Sequence, residues 1–211
     1  MISEAEQKAC RKLQKANLLG QVKEYEYTKG NKIQFAQLGD TSIMYIPDNV
    51  TVIRPKYDID YYRDIIKRLT KRFEVYGGRG LTTLDNLFQS IKDLDVLDIS
   101  NLDTSNVTSM HETFADSNIK YINFGDFKTD NVRSMYRMFS GLNTEELILN
   151  TFNTSYVRDM SGMFENLDAK TLDITSFETD KLKKTLGIFS NCKAVVRLRG
   201  KRMKALYMNR L

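Results

Sequence analysis

The chain has 211 residues, of which 41% are hydrophobic and 28% are charged, and its formal net charge is +5. This is the composition of an ordinary globular protein, and it excludes the disordered, collagen-like and disulfide-scaffold classes. The single histidine and the two distant cysteines, Cys10 and Cys192, argue against a catalytic triad, a histidine-based metal site and a disulfide framework. We therefore expect no metal and no cofactor.

The charges are distributed unevenly along the chain. Residues 1–80 contain 15 basic and 10 acidic residues, residues 81–190 contain 10 and 17, and residues 191–211 contain seven and none. An acidic middle between two basic ends would attract polyanions at the ends only. No apolar run approaches the ~18 residues of a transmembrane helix, and the first residues lack the pattern of a secretory signal. We therefore expect no membrane contact and a location in the cytoplasm.

The N-terminal third reads as a mixture of helices and short strands. Ser3 and Glu6 form a capping box, which predicts a helix that runs to about Leu18. Apolar alternation bounded by turn residues then predicts strands at residues 21–27, 32–38 and 41–46. A second helix is predicted at residues 58–71, from apolar residues at intervals of four. We interpret residues 1–72 as an irregular α+β cap.

Residues 73–200 are dominated by an internal repeat of 25 residues. Five phenylalanines follow one another at intervals of 26, 25, 25 and 25 residues, at Phe88, Phe114, Phe139, Phe164 and Phe189. Four threonines keep the same step, at Thr104, Thr129, Thr154 and Thr179. Within a unit, Leu97 and Ile99 alternate as in a strand, and Val107, Met110 and Phe114 have the spacing of a short helix. The pattern predicts an α/β repeat protein, a solenoid of about five turns, each a short parallel strand, a turn and a short helix.

Two segments of the repeat resemble a known family. Residues 97–110 and 152–164 share a strand followed by the pattern F-x-T-S-x-V-x-x-M-x-x-M-F, and they are similar to the BspA-type leucine-rich repeat. The resemblance covers roughly residues 80–200, and it implies a leucine-rich-repeat solenoid. Many members of the BspA-type family have no known function and others are surface adhesins. The chain differs from the adhesins in its first residues, which do not form an export signal.

The outward-facing strand positions are the first candidate for a binding surface. If Leu97, Ile99 and their equivalents point into the core, the alternate residues point outward and form two rows. The candidate residues on this strand face are Val96, Asp98, Tyr121, Asn123, Glu146, Ile148, Thr171 and Asp173. Tyr121 and Ile148 are the exposed apolar anchors expected to contribute affinity. The alternative interpretation is that they are scattered exposed apolar residues without a role in binding.

The C-terminal end is the second candidate. Residues 201–211 form a basic cap or tail, and the candidates for binding a polyanion are Arg197, Arg199, Lys201, Arg202 and Lys204. Two interpretations of these residues stay open: a solvated cap, and a salt-sensitive contact with nucleic acid or an acidic protein.

Three functions follow from these patterns. The first is a non-enzymatic intracellular protein-binding module, for which a phage- or mobile-element-encoded regulator or inhibitor of a host system is one role. The second is a binder of nucleic acid or of a nucleoprotein, such as an inhibitor of a CRISPR effector, acting through the basic termini. The third is an enzyme with a carboxylate or tyrosine site, and we expect the protein not to be one.

Overall fold

A computed structural model describes residues 4–18, 22–28, 31–53 and 70–209. The described chain begins with helix α1 (Glu4–Leu18) and ends with helix α2 (Lys201–Met208). The nine strands between them are β1 (Val22–Thr28), β2 (Asn31–Leu38), β3 (Thr41–Ile46), β4 (Arg72–Gly77), β5 (Leu94–Leu102), β6 (Ile119–Asn123), β7 (Glu146–Ile148), β8 (Thr171–Ile174) and β9 (Val195–Leu198). The predictions of α1 and of the first three strands are confirmed. The helix predicted at 58–71 lies outside the described residues, apart from its last two.

The strands form two sheets that follow the chain order. Strands β1 to β6 make one sheet in which β1, β2 and β3 are antiparallel neighbours and β3 to β6 are parallel. Strands β7, β8 and β9 make a second, parallel sheet. The N-terminal strands therefore extend the sheet of the repeats at its first edge. The prediction of a parallel solenoid of about five turns is confirmed, and the division of the chain at residue 72 stays a prediction.

The short helix predicted in each repeat is wrong, because each unit has a six-residue turn in its place. These turns span residues 85–90, 111–116, 136–141, 161–166 and 186–191. Each turn contains two residues in the left-handed region, four apart, such as Glu112 and Asp116 with φ of 50° and 55°. An α-helix does not accommodate such residues. The spacing of apolar residues correctly predicted which side chains are buried, but the turns that carry them are not helical.

Backbone hydrogen bonds between successive coils explain this geometry. In the turns, every second N–H donates to a carbonyl of the next coil, about one repeat further along the chain. Thus the N–H of Phe88 donates to Thr113 O at 2.8 Å, that of Phe114 to Met138 O at 2.9 Å and that of Phe139 to Met163 O at 3.0 Å. An amide that donates to the neighbouring coil is not available to the carbonyl four residues earlier, so the helical bond is not made.

The core contains a continuous column of aromatic rings. The five repeat phenylalanines are buried, and successive rings stack with centroids 5.2–6.0 Å apart and interplanar angles of 2–18°. Phe73 meets the first ring edge-on, and Tyr207 of α2 meets the last ring edge-on at 5.4 Å. The column thus has an aromatic residue across each end, which keeps the terminal rings of the solenoid from water.

The repeated threonines join neighbouring coils through a second set of buried hydrogen bonds. Thr104, Thr129 and Thr154 are each at most 3% exposed. The Thr129 hydroxyl donates to Asn153 O at 3.0 Å and accepts the N–H of the same residue at 2.8 Å. Thr104 and Thr154 repeat the arrangement with Lys128 and Glu178. One side chain in each of three coils therefore satisfies two backbone groups of the next coil.

Helix α2 replaces these contacts at the C-terminal end. Arg202 donates from its guanidinium to Thr179 O at 2.8 Å and to Leu182 O at 2.7 Å, and Met203 is buried. Thr179 is the last threonine of the repeated series, and among the described residues α2 follows this coil. Arg202 therefore caps the last coil, and its guanidinium is already engaged with the backbone.

We predict that Thr129→Val lowers the free energy of unfolding by about 1–3 kcal/mol, because a buried N–H and C=O lose their partner while the side-chain volume is kept. Urea unfolding followed by circular dichroism measures the change. Thr151→Val is the control, since Thr151 lies in the same turn region of a coil but is exposed. Equal unfolding midpoints for the two variants would contradict a structural role for the threonine series.

Candidate functional site

The outward-facing strand residues form the two predicted rows. In one row, Val96 is opposite Tyr121, and Glu146, Thr171 and Val195 follow on β7, β8 and β9. In the other row, Asp98 is opposite Asn123, and Ile148, Asp173 and Arg197 follow. The inward residues Leu97 and Ile99 are fully buried, as are their equivalents Leu147, Leu149, Leu172 and Ile174. The alternation of the strands thus places all eight candidate residues on one surface.

Three apolar side chains are exposed on this surface. Tyr121 is 48% exposed, Ile148 40% and Val195 70%. Asn123, Glu146 and Arg197 are also exposed, and Val96 and Thr171 are half-buried. The Lys120 ammonium lies 5.4 Å from the centre of the Tyr121 ring and covers one part of it. We call the surface formed by Tyr121, Asn123, Glu146, Ile148 and Val195 the open strand face.

The expectation that Asp98 and Asp173 are exposed is wrong. They are only 6% and 9% exposed, because each carboxylate turns back onto the chain two residues later. Asp98 Oδ1 accepts the Ser100 N–H at 3.2 Å and hydroxyl at 2.7 Å, and Asp173 Oδ1 accepts the same two groups of Thr175 at 3.0 and 2.7 Å. These aspartates hold the backbone where β5 and β8 curve.

The sheet is interrupted in the middle of the open strand face. The Glu145 N–H still donates to Lys120 O at 3.1 Å, but the strand ladder of β6 does not continue onto β7. Phe124 occupies the position held by Ile99 and Leu149 in the adjacent coils, and its ring packs edge-on against four other phenylalanine rings. The larger side chain accompanies the separation of the two strands, and Tyr121 and Ile148 lie on either side of the interruption.

Helix α1 covers the first part of the same sheet surface. Its buried residues Ala9, Leu13 and Ala16 form a cluster with Ala36, Ile43 and Tyr76, which project from β2, β3 and β4. This cluster lies on the side of the sheet opposite to the main core, which contains Phe73 and Val75 of β4. The strand surface is therefore covered by α1 over β2 to β4, and no other described element packs on it from β6 onward.

A buried charged network connects α1 to the strand rows. Glu74 of β4 accepts hydrogen bonds from Lys12 of α1, from Arg72 at 2.9 Å and from the Tyr76 hydroxyl at 2.7 Å. Arg72 also bonds to Asp98, so the network extends from α1 across β4 to β5. No local sequence pattern indicates this network, because Lys12 and Glu74 are 62 residues apart.

Hydrogen bonding shifts the pKa values in this network. Burial alone would raise the pKa of Glu74, but the hydrogen bonds from Lys12, Tyr76 and Arg72 outweigh it, and the pKa lies below its usual value. Burial, assisted by the bond to Glu74, raises the pKa of Tyr76. Glu74 is therefore an anion and Tyr76 a neutral donor at neutral pH.

A polar groove of about 520 Å³ runs along the edge where the repeat strands begin. Charged side chains on its walls form ion pairs with side chains of the neighbouring coil. Lys193 pairs with Asp168 at 2.7 Å, Lys170 pairs with Glu145, and the Asn118 amide donates to Asp93 at 3.1 Å. Because these groups already have partners within the solenoid, the groove is a weaker candidate for a ligand than the open strand face.

The one histidine lies on another surface and forms a pair with a serine. His111 Nε2 is 2.6 Å from the Ser134 hydroxyl. The neighbouring Asp85 accepts from the His111 backbone N–H and the Ser109 hydroxyl, and no carboxylate of the described residues bonds to the imidazole ring. The pair therefore lacks the third member of a hydrolytic triad.

Four of the five basic candidates at the C-terminal end are free to meet solvent. Arg197, Arg199, Lys201 and Lys204 are exposed, and none of them forms an ion pair within the described part of the chain. Arg202, in contrast, is committed to the cap described above. None of the described helices is long and apolar enough to cross a membrane.

Comparison with known proteins gives one finding. A family described as "Mycoplasma protein of unknown function, DUF285" matches residues 80–199, which is more than half of the chain. The chain belongs to the DUF285 family. The DUF285 segment contains five strands of the solenoid, β5 to β9, and the whole open strand face, but neither α1 nor α2. No curated protein and no solved structure was found to match the chain.

We predict that Glu74→Gln lowers the free energy of unfolding by about 1–3 kcal/mol at pH 7, because three donors lose a charged acceptor. Since the folded pKa of Glu74 is lowered from 4.5, the stabilisation is complete above that pH and is lost as the pH falls through the folded value. Urea unfolding therefore shows a smaller difference in the free energy of unfolding between wild type and variant at pH 3 than at pH 7. An equal difference at the two pH values would contradict the role of the ionised Glu74 in stability. Glu178→Gln is the control, because Glu178 is exposed.

Proposed function

We propose that the protein is a non-enzymatic module that binds another protein through the open strand face. The observation that carries this proposal is the exposure of Tyr121, Ile148 and Val195 on a surface whose neighbouring part is buried under α1. Exposed apolar side chains grouped on one surface are typical of the anchors of protein interfaces. The strand face is also the usual binding surface of solenoid proteins.

The family finding is compatible with this function and does not specify it. We propose that the repeats are of the BspA type, which the F-x-T-S-x-V-x-x-M-x-x-M-F pattern supports, and that the role is that of a regulator or inhibitor. We place this function in the cytoplasm, since Cys10 and Cys192 form no disulfide in the described residues, which suits a reducing environment. Fractionation of native host cells with an antibody against the protein tests this location.

We predict that Tyr121→Glu abolishes capture of a protein partner from the native host's lysate. The substitution places a charge where an aromatic anchor would be desolvated, so the complex loses its apolar contact and gains a repulsive group. The measurement is a pull-down at low and high salt with nuclease-treated lysate, with the captured protein identified by mass spectrometry.

Tyr156→Glu is the matched control for this experiment. Tyr156 is 54% exposed and has the Lys181 ammonium 3.7 Å from its ring centre, so the two tyrosines have similar surroundings. Tyr156 lies outside the two strand rows. Capture lost with Tyr121→Glu and kept with Tyr156→Glu supports the proposal, whereas equal capture by both variants would overturn it.

The exposed basic residues at the C-terminal end support a second candidate, binding of a nucleic acid or nucleoprotein. Arg197, Arg199, Lys201 and Lys204 form no ion pairs in the described residues, so all four are available to phosphates. If all four contact duplex DNA, the logarithm of the affinity falls with the logarithm of salt concentration with a slope of about −3.6.

We predict that replacing these four residues by alanine, with Arg202 kept, removes this salt dependence without unfolding the cap. Fluorescence anisotropy with two mixed-sequence duplexes, one of RNA and one of DNA, measures the affinity at salt concentrations between about 50 and 200 mM. Weak binding with the same dependence of affinity on salt concentration in wild type and variant would exclude the basic end as a nucleic-acid interface.

A further inference from the structure

Strand β9 is the last strand of the second sheet, and it has a neighbouring strand on one edge only. It pairs with β8 in parallel, in the register that places Val196 beside Leu172 and Leu198 beside Ile174. Neither α2 nor any other described element runs along the opposite edge of β9. In the described part of the chain, this edge of the sheet is therefore open.

The open edge of β9 presents backbone donors and acceptors. Leu149, at the position equivalent to Leu198 two coils earlier, donates its N–H to Asp173 O of the next coil at 2.8 Å. The Val195 N–H, in contrast, donates back to the preceding coil at 3.1 Å. Because successive residues of a strand direct their backbone groups to opposite edges, the N–H and C=O of Val196 and Leu198 point away from β8. No backbone group of the described residues pairs with them there.

The core side of β9 is less buried than that of the strand before it. Val196 and Leu198 are half-buried, whereas Leu172 and Ile174 of β8 are fully buried between their neighbouring coils. Helix α2 buries Met203 against the core but leaves the two residues of β9 partly accessible. A further strand with apolar side chains on its core side would remove this remaining area from water.

The surroundings of the open edge are basic. Arg197 projects from the outward side of β9, and Arg199 and Lys201 follow the strand directly. All three are exposed, and none forms an ion pair with another residue that the structure describes. Asp173 is in register with Arg197, but its carboxylate is turned toward the residue that follows β8. The edge therefore carries positive charge that the solenoid does not neutralise.

This charge determines which kind of strand fits the edge. Two copies of the chain that met at β9 would bring their arginines together, and like charges on neighbouring strands are destabilising. A segment with acidic side chains would instead meet the opposite charge. Since Val196 and Leu198 face the core and Arg197 faces outward, the fitting segment alternates apolar and acidic residues.

We propose that the open edge of β9 binds an extended acidic segment of a partner protein, which joins the second sheet as its next strand. The apolar side chains of this segment cover Val196 and Leu198, and its carboxylates lie beside Arg197 and Arg199. Main-chain hydrogen bonds supply affinity, and the alternating side chains supply specificity. The site uses the edge of the sheet and not the open strand face, so it goes beyond the proposed function.

The test uses a fluorescently labelled peptide of about nine residues, a usual strand length, in which valine and glutamate alternate. Fluorescence anisotropy against the full chain is expected to show saturable binding. Arg197→Glu is expected to weaken this binding at least about tenfold, because it places like charges side by side. Lys183→Glu is the matched control, since Lys183 is equally exposed but lies outside β9 and α2. This control is expected to leave the affinity unchanged.

Backbone methylation of the peptide separates strand addition from simple charge attraction. One peptide carries N-methyl groups on all its glutamates and a second carries them on all its valines, so the two have the same net charge. Whichever direction the added strand takes, one of these two sets of amides faces β9 and donates to it. At least one methylated peptide is therefore expected to lose its binding. Undiminished binding of both would overturn the inference, because charge alone would then account for the affinity.

Three other results would also overturn the inference. The first is the absence of saturable peptide binding to a chain whose fold is verified by circular dichroism. The second is peptide binding that is lost with Tyr121→Glu and kept with Arg197→Glu, which would place the peptide on the open strand face. The third is binding of a DNA duplex, lost with Arg197→Glu, by a chain that does not bind the peptide, which would assign the basic end to nucleic acid.

The same variants distinguish this failure from that of the proposed function. Capture of a host protein that depends on Tyr121 leaves the binding module intact, even when the peptide does not bind. Peptide binding that depends on Arg197, without any capture that depends on Tyr121, removes the contact through the open strand face and keeps the site at the edge of β9.

Discussion

The hydrogen bond from one coil to the next is the constraint on which the rest of this structure depends. Because every second amide of a turn donates to a carbonyl of the following coil, the coils are held in a fixed register along the solenoid axis. This register places each phenylalanine over the previous one and each threonine beside the backbone groups with which it forms hydrogen bonds. It also aligns the outward strand residues into rows, so the candidate binding surface is a consequence of the same bonds that build the core.

The repeat period was sufficient to predict this register but not the backbone conformation of each unit. A period of 25 residues identifies which side chains recur in the core, and Val107, Met110 and Phe114 are indeed fully buried. The same spacing is compatible with a helix and with a turn, because it records which residues point inward and not where their amides donate. Asp98 and Asp173 show a similar limit: their position in the rows was predictable, whereas their hydrogen bonds to Ser100 and Thr175 depend on the local curvature of the chain.

The place of α1 on the sheet was beyond prediction. The capping box and the periodicity of residues 4–18 predicted the helix itself, but a helix that is attached to the sheet by Ala9, Leu13, Ala16 and Lys12 has few residues that specify its site. Its ionic partner lies 62 residues away, and no local pattern relates the two. The sequence therefore predicted the strand face of β5 to β9, whereas the position of α1 over β2 to β4 on the same side of the sheet is visible only in the structure.

The two ends of the solenoid show what folding alone requires, and this separates structural from functional residues. At the first end, Lys12 and Arg72 satisfy the carboxylates of Glu74 and Asp98. At the other end, Arg202 donates to the carbonyls of Thr179 and Leu182 and so joins α2 to the last coil. Each of these side chains has its partners within the folded chain. The exposure of Tyr121 and Ile148 compensates nothing, because a polar residue at either position would keep the strand alternation and the core unchanged. Their exposed apolar character therefore supports the proposed contact with a partner protein.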